Sequence, residues 1–264
     1  MEPNGSRVNS TPPKIQISGL RKAFDRNVVL DGVDLDVRTG DNLVLLGASG
    51  SGKSVLIKCI LGLIAPDAGS ILIDGRALTE LTSEEREKLR RKTGVLFQNG
   101  ALFDSLTVWE NVAFGLMHGE GVAATRAKAI AVEKLAAVGL GADSADLYPS
   151  SLSGGMQKRV ALARAIAGNP EILFLDDPTA GLDPILTTII DQFIMRSLEA
   201  LGATALTITQ DIESARRMAD RMAVLHGGRI IWEGPAGQVD DTGNPHVDEI
   251  VRPSLVARGA AVVA

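Results

Sequence analysis

Residues 43–54 read LVLLGASGSGKS, and this short stretch decides the fold of the chain. Residues 43–46 form a continuous apolar run, which is typical of a strand buried on both faces of a sheet. Residues 47–54 follow at once and fit the pattern G-x-x-x-x-G-K-[ST], a loop whose backbone N–H groups surround polyphosphate. Residues 55–63 then have the composition of a helix. The stretch therefore predicts a strand, a phosphate-binding loop and a helix in direct succession.

The chemistry of phosphate binding explains why these residue types occur together in the loop. Glycine lets the backbone approach phosphate without a Cβ in the way, and the following helix adds the positive end of its dipole. The lysine and the last serine reach phosphate and Mg²⁺. A chance glycine turn is the alternative, but the flanking strand and helix argue against it. We expect the whole loop to bind the nucleotide: Gly47, Ala48, Ser49, Gly50, Ser51, Gly52, Lys53 and Ser54.

The composition limits the classes of protein to consider. The chain has 264 residues, of which 45% are hydrophobic and 3% aromatic, and its formal net charge is −5. The apolar content is enough for a substantial core. Without a basic block or an aromatic surface, nucleic acid is not expected as a partner. No apolar run reaches the ~18 residues that a membrane span requires, and the single cysteine, Cys59, rules out an intramolecular disulfide.

Short apolar segments alternate with helical ones along the rest of the chain. This alternation predicts an α/β fold on an open, mostly parallel sheet. Residues 184–201 are expected to form a helix, and another helix follows from Ile212. The pattern T-x-x-E at Thr82 and at Thr107 is a capping box that opens two further helices. Strands are expected at residues 33–37, 71–73, 95–97, 172–175, 204–209, 223–225 and 229–231, the last two forming a hairpin.

The same features suggest how the chain is divided. Residues 1–13 are polar and rich in proline, so we expect a flexible tail rather than a signal peptide. Residues 14–239 are expected to form the nucleotide-binding domain, with a helical insertion at about 104–165. Residues 240–264 have no strong periodicity. They form either a regulatory or dimer-contacting tail or a disordered one.

Two further segments suggest contacts with phosphate and metal. Residues 152–156 read LSGGM, in which Ser153 is a predicted N-cap whose helix offers free N–H groups and a positive dipole end. Ser-Gly-Gly is also common in linkers, so this signal alone is weak. Asp176 ends an apolar strand and should emerge beside the phosphate loop, where a carboxylate can hold Mg²⁺. The alternative for Asp176 is a solvated loop acid.

With these motifs in place, the chain resembles the nucleotide-binding subunit of ABC transporters over roughly residues 14–237. Residues 152–157 resemble the family's LSGGQ segment, and residues 180–183 match its D-loop. Gln98 matches the glutamine of its Q-loop, and Phe24 falls where an aromatic ring stacks on adenine. The resemblance implies a phosphate-loop NTPase core with a mostly parallel sheet, an antiparallel β subdomain and an inserted helical subdomain.

The resemblance also implies the ligands and the assembly. Two copies are expected to form a head-to-tail homodimer that encloses two ATP molecules, each between the phosphate loop of one copy and the LSGGM segment of the other. Residues implied to hold ATP outside the phosphate loop are Phe24, Ser153, Gly154, Gly155, Met156 and Asp183. Residues implied to hold Mg²⁺ are Ser54, Gln98 and Asp176. Residues implied to act in hydrolysis are Asp177, Gln210 and Gln98.

A finer resemblance concerns the transported substrate. Residues 96–114, LFQNGALFDSLTVWENVAF, together with residues 152–164 and 244–247, are similar to ATPases of the Mla phospholipid transport system and related MCE-type lipid transporters. This resemblance implies a permease dimer, an MCE-domain protein and a STAS-domain protein as partners, at the cytoplasmic face of the inner membrane. ATPases of amino-acid importers share much of the pattern, so another small-molecule transporter is the alternative.

Two residues depart from the family's pattern. The family normally has glutamate after the strand-terminal aspartate, where it polarises the attacking water, and this chain has Asp177. The family normally has a switch histidine after the next strand, and this chain has Gln210. One hypothesis is therefore slow, glutamine-assisted hydrolysis, with ATP binding as the main switch; the other is ordinary hydrolysis after small backbone adjustments. A regulator that binds ATP without hydrolysing it is a third possibility.

Other residues have two readings each. Phe103 and Trp109 either pack in the core or line a groove that receives a coupling helix of the permease.

A soluble ABC-type ATPase acting on ribosomes or DNA is a competing class, but such proteins usually carry two nucleotide domains or a long coiled coil, and this chain has neither pattern.

Overall fold

The computed structural model describes residues 12–252 of the chain. Most of the predicted flexible tail, residues 1–11, and the last part of the predicted C-terminal tail, residues 253–264, lie outside the described residues. No helix within residues 12–252 is long and apolar enough to cross a membrane.

A six-stranded sheet forms the centre of the domain, and five of its strands are parallel. The order along the sheet is β10-β9-β3-β8-β7-β6, with only the β9–β10 pair antiparallel. The β3, β7 and β8 strands are buried along their whole length, as their apolar sequences predict for a parallel sheet covered on both faces. The strands are β3 (Asn42–Leu46), β6 (Thr93–Leu96), β7 (Ile172–Asp176), β8 (Thr204–Thr209), β9 (Arg221–His226) and β10 (Arg229–Pro235).

A second sheet is fully antiparallel and confirms the predicted β subdomain. Its order is β2-β1-β4-β5, and it shares a hydrophobic core with the helix that follows the phosphate loop. Ile17, Leu35 and Leu56 are among the fully buried side chains of this core. Its strands are β1 (Ile15–Phe24), β2 (Asn27–Val37), β4 (Ala68–Ile73) and β5 (Arg76–Ala77).

The helical insertion packs as a separate layer on the other side of the central sheet. Its helices α3 to α5 bury small and branched side chains such as Val112, Ala131 and Val160. The predicted capping boxes at Thr82 and Thr107 are both present. The helices are α1 (Lys53–Ile60), α2 (Ser83–Arg91), α3 (Val108–Gly119), α4 (Ala124–Ala137), α5 (Gly154–Ile166), α6 (Pro184–Leu201), α7 (Ile212–Met218) and α8 (Pro245–Val251).

Three sequence predictions need correction. The helix expected at residues 55–63 ends at Ile60, because Gly62 has a left-handed backbone (φ 67°) and Leu63 N–H bonds back to Lys58 O. The strand expected at residues 95–97 ends at Leu96. Of the two alternatives for the C-terminal tail, disorder is wrong for residues 245–251, which form α8.

The C-terminal helix is held by both apolar and charged contacts. Val247 and Val251 are buried against the larger core. Asp240, just before the helix, accepts two hydrogen bonds from Arg216 of α7, at 2.7 and 2.8 Å, and another from Arg252. The first part of the predicted C-terminal tail is therefore an ordered element packed beside α7.

Candidate functional site

The phosphate loop joins β3 to α1, and its glycines are required by close backbone contacts. A Cβ built on Gly47 would lie 2.6 Å from Leu225 O. Gly52 has φ 104°, and a Cβ there would lie 2.9 Å from Val29 O. A larger residue would clash with backbone at either position, so glycine is needed for the tight turn that leads into α1. The N-terminus of a helix offers free N–H groups to an anion.

Two side chains of the loop are arranged for an anion. Lys53 is 9% exposed, and its Nζ donates to Gly47 O at 2.7 Å and to Ala48 O at 2.9 Å. Burial lowers the pKa of Lys53, while the negative charges of Asp177 and Asp176 oppose that shift. Ser51 Oγ is one of two buried side-chain polar atoms in residues 12–252 that lack a hydrogen-bond partner. A buried cation and an unsatisfied hydroxyl fit the phosphates of a nucleotide.

The residues predicted to bind metal are only partly assembled by the fold. Ser54 Oγ donates to Asp176 Oδ1 at 3.1 Å, and burial raises the pKa of Asp176. A hydroxyl and a carboxylate are the oxygen ligands that Mg²⁺ prefers, so this pair fits the ion. Gln98 lies two residues beyond β6 with an exposed side chain, and its backbone carbonyl accepts a hydrogen bond from Lys158. Its role as a metal ligand therefore stays a prediction.

Asp177 lies beside the metal pair in an unusual conformation. Its backbone is left-handed (φ 47°), a region that aspartate tolerates better than most residues. The side chain is 9% exposed, and Thr209 Oγ1 donates to its Oδ1 at 3.1 Å. Gln210 follows Thr209 directly and is exposed. The fold thus brings Asp177 and the turn that carries Gln210 to the same edge of the sheet as the phosphate loop.

The strand pairing explains this convergence. The β8 strand lies between β3 and β7, so Leu46 pairs with Thr209 and Asp176 pairs with Ile208. Residues that follow parallel strands meet at the carboxyl edge of the sheet, which is where ligands bind in open α/β folds. The predicted groups on three separate segments therefore lie at one edge of the sheet.

The LSGGM segment forms a second, separate surface. Ser153 is the N-cap of α5, and its Oγ accepts from Met156 N at 3.3 Å. Gly154 is exposed, and a Cβ there would have nothing within 4 Å. No hydrogen bond within residues 12–252 joins this segment to the phosphate loop. Phosphate binding by the exposed start of α5 therefore stays a prediction.

The two remaining predicted contacts with ATP have different surroundings. Phe24 ends β1 and is 44% exposed, with Lys22 Nζ at 5.4 Å from its ring centroid. A half-exposed ring of this kind can stack on a base. The carboxylate of Asp183 caps α6 and accepts from the backbone N–H groups of Ile185 and Leu186 at 2.9 and 3.0 Å. The hydrogen bonds of Asp183 thus serve the helix, and its contact with nucleotide stays a prediction.

A cavity of about 550 Å³ opens next to the Q-loop, between α2, β6, α3 and α5. Phe97, Phe103 and Phe114 line it together with Arg90 and Arg164. Phe103 is 43% exposed, with the Arg164 guanidinium 6.0 Å from its ring centroid, so it does not pack in the core.

The surroundings of Trp109 differ from those of Phe103. Trp109 is half-buried against the helical core, with Lys128 Nζ 5.6 Å from its ring centroid. Trp109 therefore packs against the core, whereas Phe103 lines the cavity, and contact of that cavity with a permease helix stays a prediction.

Comparison with known proteins agrees with this site. Residues 30–180, which include the phosphate loop, the LSGGM segment and Asp176, match the family described as ABC transporter. The chain belongs to the ABC transporter family. A solved dimer of the ATP-binding cassette MJ0796 in a post-hydrolysis state with ADP and Pi is 32% identical, with a TM-score of 0.77 over 84% of this chain and 98% of that one. The ABC ATPase fold and ATP as its ligand are therefore confirmed for this chain.

Curated ABC relatives have several transport names. The "Probable ribonucleotide transport ATP-binding protein mkl" of Mycobacterium leprae is 41% identical over 84% of this chain and 63% of its own length. The "Methionine import ATP-binding protein MetN" of Rhizobium johnstonii is 42% identical over 89% and 64%. "Protein TRIGALACTOSYLDIACYLGLYCEROL 3, chloroplastic" of Arabidopsis thaliana is 37% identical over 94% and 76%. The chain spans less than two thirds of the length of the first two relatives.

Reasoning from the sequence missed two residues at this ABC site. Thr209 holds Asp177 through its hydroxyl, and Lys158 of α5 donates to the carbonyl of Gln98. Lys158 is 8% exposed, and its burial lowers its pKa, while the nearby Asp177 and Asp176 oppose that shift. A lysine within the otherwise buried face of α5 was a signal available in the sequence; Thr209 gave none beyond its place next to Gln210.

Proposed function

We propose that this chain is the ATP-binding and ATP-hydrolysing motor subunit of a membrane transporter that moves phospholipid between membranes. The observation that carries the ATPase part is the convergence of the phosphate loop, the Ser54–Asp176 pair and Asp177 at one sheet edge. These groups can bind phosphate, would hold a metal ion and can place a carboxylate near water. Phosphoryl transfer to water requires these three functions.

The assembly proposed is a head-to-tail homodimer with ATP between the copies. Its support is that Ser153 and Gly154 are exposed at the N-terminus of α5, and that the related MJ0796 cassette is described as dimeric. Each ATP would be held by the phosphate loop of one copy and by the N-terminus of α5 from the other. ATP drives closure only if it binds the closed dimer more tightly than the open one. The second phosphate contact, at Ser153 to Met156, supplies that difference.

In the hydrolytic step the residues of this chain have distinct roles. Lys53 and the loop N–H groups bind and orient the phosphates, and Ser54 and Asp176 would hold Mg²⁺, which neutralises charge on the phosphates when bound. Asp177 is placed to accept a proton from the attacking water, and Gln210 can both donate to a phosphate oxygen and accept from that water. Glutamine has no titratable charge, so Gln210 positions water but moves no proton.

Phospholipid is favoured as the cargo by the residues near the Q-loop. Residues 96–114 and 244–247 carry the resemblance to Mla and MCE-type ATPases, and one relative of this chain has a diacylglycerol lipid in its name. A permease dimer, an MCE-domain protein and a STAS-domain protein are the partners proposed, at the cytoplasmic face of the inner membrane. The alternative is the transport of another small molecule. It is supported by the names of two other relatives, which mention ribonucleotide transport and methionine import.

The cavity beside the Q-loop suggests where the permease would act. It lies between the helical insertion and the central sheet, and Phe97 and Phe103 expose apolar surface there while Arg90 and Arg164 supply charge. A short helix of the permease with an apolar and acidic face would fit this lining. Gln98 lies immediately beyond Phe97, so a movement of Gln98 on nucleotide binding would be transmitted to such a helix.

Purification of the full chain from membranes with its partners tests this function. The complex is assayed for ATP turnover, and its bound lipids are extracted and identified by mass spectrometry. We expect ATP hydrolysis, a permease in the complex and phospholipid in the extract. A complex that hydrolyses ATP but is stimulated by an amino acid with its binding protein, and holds no phospholipid, contradicts the lipid cargo while the ATPase assignment stands.

A further inference from the structure

Thr209, the last residue of β8, makes two hydrogen bonds that join separate parts of the site. Its side chain is fully buried. The hydroxyl donates to Asp177 Oδ1 at 3.1 Å and accepts from Asp211 N–H at 3.0 Å. A hydroxyl has one proton to donate and lone pairs to accept with, so both bonds can exist together. Thr209 thereby links the carboxylate at the end of β7 to the backbone just beyond Gln210.

The bond to Asp177 restricts a side chain that would otherwise be freer. The backbone of Asp177 is already fixed, because its N–H donates to Ile208 O at 2.8 Å and its carbonyl accepts from Ala180 N at 3.1 Å. What remains is rotation of the short side chain. Thr209 engages Oδ1, and in the described part of the chain no hydrogen bond is made to Oδ2. The second oxygen is therefore available for water in a defined direction.

The bond to Asp211 restrains the turn that carries Gln210, the second group proposed to act in hydrolysis. Asp211 is the N-cap of α7, and its Oδ1 accepts from the N–H groups of Glu213 and Ser214 at 2.9 and 3.2 Å. Gln210 is thus held between Thr209, at the end of a central strand, and Asp211, at the start of a helix. Its exposed side chain extends from a turn with fixed ends.

We propose that Thr209 is a positioning residue for ATP hydrolysis: its hydroxyl orients the Asp177 carboxylate and the Gln210 turn toward the same water. The inference rests on the hydrolytic function proposed above. It also bears on the short side chain at position 177, because the reach of aspartate is one methylene less than that of glutamate and its direction determines which water it can contact. Misplacement by about 1 Å at such a group can lower a rate on the order of 100-fold.

Three variants of the full chain, assayed with its membrane partner, test this role. Thr209→Val keeps the shape of the side chain but removes the hydroxyl, and Thr209→Ser keeps the hydroxyl. Thr207→Val is the matched control, because Thr207 is equally buried on the same strand and donates to Asn42 Oδ1 at 3.0 Å, away from Asp177. The readouts are kcat, KM for ATP, and ATP affinity measured separately by a fluorescent nucleotide.

We expect Thr209→Val to lower kcat by about 10-fold or more, since both hydrolytic groups lose their restraint. KM and ATP affinity should change by less than about 2-fold, because the residues that bind phosphate are untouched. Thr209→Ser should stay within about 3-fold of the original kcat, and Thr207→Val should match the original enzyme. If Thr209→Val cannot be obtained folded, Thr209→Ala takes its place, and thermal unfolding of each variant checks its integrity.

Other outcomes overturn the proposal. If the Thr209→Val enzyme has an undiminished kcat, the positioning role of the hydroxyl is contradicted, and the ATPase function is unaffected. The same holds if Thr209→Ser loses as much as Thr209→Val, or if ATP affinity falls as far as kcat, since either result indicates a structural effect. An original chain that binds ATP but does not hydrolyse it with its partners overturns the hydrolytic function itself, and the role of Thr209 with it.

Discussion

At the scale of single residues, the proposed rate of ATP hydrolysis depends on the carboxylate at position 177. The side chain is one methylene shorter than the glutamate that is usual in the family. Its left-handed backbone (φ 47°) directs the side chain differently from an ordinary strand residue. The bond from Thr209 holds one oxygen in place. Slow hydrolysis and ordinary hydrolysis after backbone adjustment are both compatible with these features, and substitutions at position 177 distinguish them.

We expect Asp177→Asn to lower kcat for ATP by about 100-fold or more, because an amide cannot accept a proton from water. ATP binding should persist, as the phosphate loop is unaltered. Asp74→Asn is the control, since Asp74 is also left-handed (φ 50°) but lies on the surface against Lys14. Steady-state ATPase assays measure both. An Asp177→Asn enzyme with normal turnover would show that another group acts as the base.

Asp177→Glu separates the two hypotheses for the rate. If the missing methylene is what limits hydrolysis, the longer side chain raises kcat toward the typical enzyme median of about 10 s⁻¹. If the backbone already compensates, the original enzyme turns over near that rate and the substitution gives no gain. The same ATPase assay distinguishes these results.

At the scale of elements, a buried charge pair joins the two helices that follow the D-loop and the Gln210 turn. The Asp191 carboxylate on α6 is 1% exposed. It accepts from Arg217 Nε and Ser214 Oγ of α7, each at 2.8 Å. Burial raises the pKa of Asp191, because the charged carboxylate has lost its contact with water. The two helices are therefore expected to move as one unit.

Arg217→Met should destabilise the fold by about 2–3 kcal/mol, because it leaves the buried Asp191 charge with a single hydroxyl partner. This lies below the usual cost of breaking a buried pair, about 3–5 kcal/mol, since Arg217 is one third exposed. Arg90→Met is the control, as its pair with Glu87 is exposed and is expected to contribute less than about 1 kcal/mol. Urea unfolding measures both, and equal losses would contradict the argument.

A second expectation at this scale concerns the attachment of α8. Hydrogen bonds from Arg216, and then from Arg252, lower the pKa of Asp240 to about 2. A carboxyl group whose pKa is lower in the folded state stabilises the fold above its unfolded pKa, near 3.8. That contribution is lost as the pH falls from about 4 toward 2. Since Asp240 is 43% exposed, the gain is at most about 1 kcal/mol.

Asp240→Asn should therefore be less stable than the original chain at pH 6, with a difference that shrinks as the pH is lowered to 3. Unfolding by urea at several pH values gives the comparison. Glu249→Gln, an exposed change on α8 itself, serves as control and should show no such trend. A constant difference from pH 6 to pH 3 would mean that the ion pairs of Asp240 contribute nothing.

Deletion of residues 241–264 with a measurement of dimerisation tests whether the tail contacts a second copy.

At the scale of the whole molecule, the fold leaves Ser153 and Gly154 at the N-terminus of α5 exposed. In the proposed dimer this end would approach the γ-phosphate of ATP held by the other copy. Gly154 is open enough to accept any small side chain, because a Cβ there meets nothing within 4 Å. It is therefore a position where charge can be changed without disturbing the fold.

Gly154→Asp is expected to abolish the ATP-dependent dimer, because a carboxylate at this end repels the phosphates across the interface. Gly154→Ala, which adds bulk without charge, should still dimerise. Both are made in the Asp177→Asn background to slow hydrolysis, and size-exclusion chromatography with Mg²⁺ and ATP measures the mass. ATP binding by the isolated chain should be similar in both. A Gly154→Asp chain that dimerises normally would contradict the two-sided binding of ATP.

The sequence by itself determined the parts of this protein that local chemistry encodes. The phosphate loop, the two capping boxes, the Ser153 cap and helix α6 with bounds Pro184–Leu201 all follow from residues close together along the chain. Their conformations depend on glycine freedom, caps and apolar period, which act over a few residues. The ABC fold could be predicted from these motifs for the same reason.

Only the tertiary structure decided how the hydrolytic groups are held. The bond between Thr209 and Asp177 joins residues 32 apart, and the bond from Lys158 to Gln98 joins residues 60 apart. Such contacts follow from the order of strands in the sheet and the packing of α5 against it, which no local pattern specifies. The docking of α8 likewise needs a partner surface on α7 and the larger core. Long-range packing, rather than local propensity, therefore sets the geometry of Asp177 and of the Gln210 turn.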